Sequence, residues 1–228
     1  SFIEFLQSAE VAKLMREGQT VSGYREGIVY SLLENFNRLH RERINAHFKV
    51  DLPLLDRAEF EVFVGPGQTS RLHLAEFIHR ELARVFELRL EELRDEFASA
   101  DAVTCKGIRG LVDEMNGLDP ETILERWLAP SANPGIDDPD RPVLNEATPA
   151  LLKHSVHTLV DLVAGLRANY ECILTLSGLT VEDILEILYD CEGRITHLEM
   201  FNLKEYMRGC SPYLKEVCAL RQAVNEGS

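Results

Sequence analysis

"EFEVFVG", residues 59–65, is the stretch on which the choice between a helical and an α/β fold turns. Its apolar residues are aromatic or β-branched and alternate with glutamates at the start, which predicts a strand. A second alternating stretch, "ITHLEMF" at 195–201, predicts another strand near 194–201. Helical patterns flank both, so βα units and an α/β sheet are one expectation. Two strands are few for a barrel. The expected fold is therefore mainly α, a multi-helix domain with a minor β-sheet, and the α/β arrangement is its competitor.

Outward from that stretch, apolar spacing predicts helices over 2–17 and 24–48, with "DLPLLDRA" (51–58) as a connector. "GPGQTS" (65–70) ends the strand, and Thr69 or Ser70 is placed to cap a long helix over 71–98. The core stripe of that helix is Ala75, Ile78, Leu82, Val85, Phe86, Leu93 and Phe97; its mixed charges form a solvated face. "AVTC" (102–105) reads as a short strand. Helices follow near 107–116 and 120–129, with Pro120 suited to a first turn. Further helices are expected at 147–177, 180–191 and 212–225.

Residues 130–149, "PSANPGIDDPDRPVLNEATP", hold five of the nine prolines and predict no regular element. The segment is either a linker or an ordered lid over a site. The expected organisation is an N-terminal helical part with one strand (1–129), this segment, and a C-terminal helical part with one strand (150–228). One compact domain is the alternative. The sequence starts in a helical pattern without methionine and stops just after one, as a domain excised from a larger protein would.

Composition bounds the function. The chain has 228 residues, 45% hydrophobic and 27% charged, with a formal net charge of −14. That charge argues against a nucleic-acid backbone or an anionic membrane surface as partner. No apolar run approaches the roughly 20 residues of a membrane span. Five cysteines, none in a C-x-x-C pair, fit reduced buried thiols and a cytoplasmic setting.

Several polar groupings are candidate chemistry. In a strand over 194–201, Ile195, His197, Glu199 and Phe201 share one face, while Thr196, Leu198 and Met200 face the core. A carboxylate beside an imidazole makes a general acid/base pair. Asn202 and Lys204 follow at the strand's C-terminal end, where parallel sheets place ligands. The plainer reading is a solvated strand face. On the next long helix, His154, His157 and Asp161 fall together at three- and four-residue spacing. They are an incomplete metal site, or a hydrogen-bonded cluster where the helix packs on both sides, since Ala150, Ala164, Gly165 and Ala168 flank them.

"FVGPGQTSR" (63–71) matches no phosphate-loop pattern and reads as an ordinary turn. "RLHRERINAHFK" (38–49), the one locally basic stretch, would meet a small anion, an acidic partner or the protein's own carboxylates. No motif names a cofactor. Two functions remain: a helix-rich interaction, regulatory or structural domain with a protein partner or homodimer, and an enzyme domain. The enzyme would use His197 and Glu199 on a small anionic or hydroxylated metabolite held by Asn202 and Lys204. With no complete catalytic signature, the interaction class is the leading expectation.

Overall fold

The computed structural model describes residues 2–166, 171–176, 179–199 and 214–226. In chain order the elements are α1 (Phe2–Leu6), α2 (Ala9–Asn35), a π-helical turn (Phe36–His40), α3 (Arg41–Phe48), α4 (Arg57–Val64), α5 (Arg71–Ser99), α6 (Ala102–Asn116) and α7 (Pro120–Trp127). Then come α8 (Val156–Ala164), β1 (Ile173–Thr175), α9 (Val181–Asp190), β2 (His197–Glu199) and α10 (Leu214–Glu226). The fold is mainly α with a small sheet. It divides into two compact units, residues 18–149 and residues 1–17 with 150–228. Among the described residues no helix is long and apolar enough to cross a membrane.

The stretch 59–65 is not a strand. It lies in α4, which Asp56 caps by accepting the Glu59 N–H at 3.1 Å, and an Arg57–Glu61 pair at 2.8 Å spans its first turn. The helix buries Phe60 completely and Phe63 and Val64 in part, while Val62 is 83% exposed. That is the three- and four-residue spacing of a helix. "AVTC" is also helical: Asp101 accepts the Thr104 N–H at 2.7 Å and starts α6. Residues 18–23, expected as a break, run unbroken through α2.

Ser70 caps α5 as expected, accepting the His73 N–H at 3.2 Å. Ala75, Ile78, Leu82, Phe86 and Leu93 of its stripe are buried in the core of residues 18–149. Edge-to-face and tilted rings run through that core: Phe60 to Phe77 at 5.3 Å, Phe48 to Phe86 at 5.0 Å, and Phe36 to Trp127 at 5.8 Å. The proline-rich segment 130–149 is held to the same unit. Buried Asn133 receives the Asn35 amide at 2.8 Å, and Arg71 reaches Asp138 at 3.3 Å and Asp140 at 2.6 Å.

In the other unit the expected helix over 147–177 is replaced by shorter pieces. A 3-10 turn at Ala150–Lys153 is followed by α8, whose cap is Ser155 and whose C-cap is Gly165. Residues 173–175 form a strand instead, parallel to β2 in the register Ile173–His197, Leu174–Leu198, Thr175–Glu199. With α9 between them, the two strands make a βαβ unit, a local piece of the competing α/β reading. Thr180 and Asp183 close a capping box on α9. Leu174, Leu188 and Leu198 each pack against both small apolar clusters, one around Val160, Cys191 and Ile195, the other around Leu176, Ile184 and Leu220. Leu198 therefore faces inward as expected. Ile195, expected on the opposite face, is buried, and Thr196, expected to face the core, is exposed, because the strand begins only at His197 and alternation does not extend to them. Of the free thiols described, only Cys191 is buried and Cys218 is exposed, which departs from the expectation of buried thiols.

Candidate functional site

The polar residues of α8 meet an arginine that the sequence did not single out. A tight turn follows α9, with Glu192 and Gly193 at φ 49° and 78°; the Arg194 N–H donates to the Cys191 carbonyl at 2.9 Å. A positive φ suits glycine and tolerates few other residues. The reversal carries the Arg194 side chain to α8. Its Nε lies 3.1 Å from Asp161 Oδ1, and its Nη1 donates to His157 Nε2 at 2.6 Å.

This geometry assigns the histidine's proton. A guanidinium only donates, so Nε2 of His157 accepts and the ring hydrogen sits on Nδ1. Nδ1 lies 3.5 Å from Asp161 Oδ2, one helical turn on. Asp161 thus faces both the imidazole and the arginine. The three side chains remain 34–43% exposed, so water screens the cluster and its contribution to stability is small, about 0–1 kcal/mol for such a pair. His154 precedes the Ser155 cap and does not join them. Among the described residues no group of three or more His, Cys, Asp or Glu side chains is placed to hold a metal ion. The partner of His157 and Asp161 is a cation of the protein itself.

His197 and Glu199 occupy the same face of β2, with His197 exposed and Glu199 half-buried. No hydrogen bond or ion pair joins the two. His197 Nδ1 instead lies 2.9 Å from the Thr196 hydroxyl. That hydroxyl donates to the Cys172 carbonyl at 3.1 Å and accepts the Cys172 N–H at 3.0 Å. Nδ1 is the ring nitrogen at this contact, so Nε2 of His197 points away from it. Asn202 and Lys204 lie outside the described residues.

The other candidates resolve into local structure. In 63–71, Ser70 caps α5 and Arg71 is paired with Asp138 and Asp140. The basic stretch 38–49 divides. Arg38 donates to Asn35 at 2.6 Å and Arg41 to the Leu52 carbonyl at 3.0 Å, whereas His40, Arg43 and His47 line a cavity. Arg194 is the residue that sequence reasoning missed. Its signal was its place beside a glycine, three residues ahead of His197. No protein-family model, curated protein or solved structure matches the chain, so its chemistry is read from these side chains alone.

Proposed function

We propose that the chain is a helix-rich interaction or regulatory domain whose counterpart is a protein partner or a second copy. The observation that supports this reading most is the engagement of His157. A catalytic imidazole has to offer a lone pair or a proton to its substrate. Both nitrogens of His157 face groups of the domain itself, Nε2 the Arg194 guanidinium and Nδ1 the Asp161 carboxylate. The trio is a clasp between α8 and the entrance to β2. Beside its buried Val160, α8 leaves Val156 and Val163, which share a face at i and i+7, exposed by 42% and 44%, an apolar strip suited to a partner.

Light scattering of the purified chain across a concentration range, beside a Val163→Asp variant, tests the homodimer form. A mass that climbs toward the dimer, and falls back in the variant, supports it. A monomer at every concentration overturns that form. An enzyme reading keeps one supporting observation: Nε2 of His197 is turned away from Thr196 on the exposed face of a parallel strand pair. There the His197–Glu199 pair, with Asn202 and Lys204, would act on a small anionic or hydroxylated metabolite.

A further inference from the structure

A cavity of about 590 Å³ opens on the unit of residues 18–149, within the range of small-ligand sites. Its polar lining comes from three places. His40 ends the π-helical turn, Arg43 and His47 follow on the same face of α3 at i+3 and i+7, and Arg126 and Trp127 end α7, beside Ser131. The π-turn is formed by the Arg41 N–H reaching back to the Phe36 carbonyl. Such single π-turns within helices recur at functional sites.

His40 is the telling residue. It is only 8% exposed, yet its Nε2 is buried without a hydrogen-bond partner. A buried polar atom left so is costly and calls for an explanation. The Ala132 carbonyl beside the ring favours an N–H on the nitrogen that faces it, and with Nε2 unpartnered that nitrogen is Nδ1. Nε2 therefore presents a lone pair. Burial is the main cause that holds the His40 pKa below its ordinary value, and Arg43 acts in the same direction, so the ring is neutral.

The lining also carries two guanidinium cations, Arg43 and Arg126, beside the apolar Ile44, Phe48, Trp127 and Ala132. Glu114 answers part of that charge, accepting from His47 Nε2 at 2.8 Å and from Arg126 Nη1 at 2.9 Å. Arg43 makes no hydrogen bond or ion pair among the described residues. The site thus pairs an unengaged guanidinium with a buried acceptor. A fully deprotonated oxyanion satisfies the first and repels the second. A group that is anionic and still carries an O–H satisfies both.

We infer that this cavity binds a hydrogen phosphate group, free or as a monoester, whose oxygens accept from Arg43 while its P–O–H donates to His40 Nε2. Sulfate has the same shape but no proton to give at neutral pH, so it is the discriminating probe.

The test is isothermal titration of the whole chain with inorganic phosphate, phenyl phosphate and sulfate at matched ionic strength and mildly acidic pH. Phosphate or phenyl phosphate should bind at least about tenfold more tightly than sulfate, the worth of one charge-assisted hydrogen bond. Tighter binding of phenyl phosphate marks an ester as the ligand, and tighter inorganic phosphate the free ion. Arg43→Ala, an exposed change, should weaken phosphate by about tenfold or more. His40→Leu, which has no acceptor, should erase the preference over sulfate, its fold checked by circular dichroism. Equal binding of sulfate and phosphate, no binding of any probe, or an unchanged affinity in Arg43→Ala overturns the inference.

Discussion

Asn35 donates its side-chain amide to the side-chain oxygen of Asn133 at 2.8 Å, joining the last residue of α2 to the proline-rich segment 98 positions away. Asn133 is 1% exposed, and its own amide donates to the Trp127 and Ala129 carbonyls at 2.8 and 2.9 Å. One side chain thus satisfies the end of α7 and the end of α2 together. Removing it leaves several buried polar groups without partners. Asn133→Ala should cost about 3 kcal/mol, read as a lowered urea midpoint at unchanged slope. A loss below about 0.5 kcal/mol would mean that water replaces the amide freely.

The helix at 57–64 separates residues that a strand would keep together. In a strand Phe60 and Val62 share a face, whereas in α4 Phe60 is buried against Phe77 and Tyr30, with ring centroids at 5.3 and 6.4 Å, and Val62 is 83% exposed. Phe60→Ala should therefore lose about 3–5 kcal/mol of stability, and Val62→Ala should stay within about 0.5 kcal/mol of the parent. Comparable losses at both positions, measured by chemical denaturation, would contradict the helix.

These cases show which features were legible in advance. Ser70 and the stripe from Ala75 to Leu93 were readable because cap and period agree along α5. The stretch 59–65 fits period two through Phe60, Val62 and Val64 and helical spacing through Phe60, Phe63 and Val64. The Asp56 cap and the Arg57–Glu61 pair favour the helix locally, and the contacts with Tyr30 and Phe77 fix which face is buried. Strand β1 was hidden for a similar reason, since Ile173 continues an apolar helical spacing and its pairing partner lies 24 residues on. At the candidate sites, His157 and Asp161 were legible as neighbours one turn apart. Arg194 was not, because its approach depends on the backbone reversal at Glu192 and Gly193. His40 gave no sequence signal of burial, sitting within a stretch of charged residues.

His40 makes stability depend on pH in a definite direction. Burial lowers its pKa from 6.5 in the folded state, with Arg43 adding and the Ala132 carbonyl opposing. The groups facing it across the cavity are Arg43, His47 and Arg126, the last two held by Glu114. Above pH 6.5 both folded and unfolded states keep this ring neutral, and it contributes no pH dependence. As pH falls below that value the unfolded chain takes up a proton that the folded chain refuses, so stability is lost until the lowered folded pKa is reached. In phosphate-free buffer the urea midpoint of the parent should fall more between about pH 7 and pH 5 than that of His40→Gln, which has no proton to bind there. Parallel pH profiles for the two proteins would show that His40 is not held neutral by its surroundings.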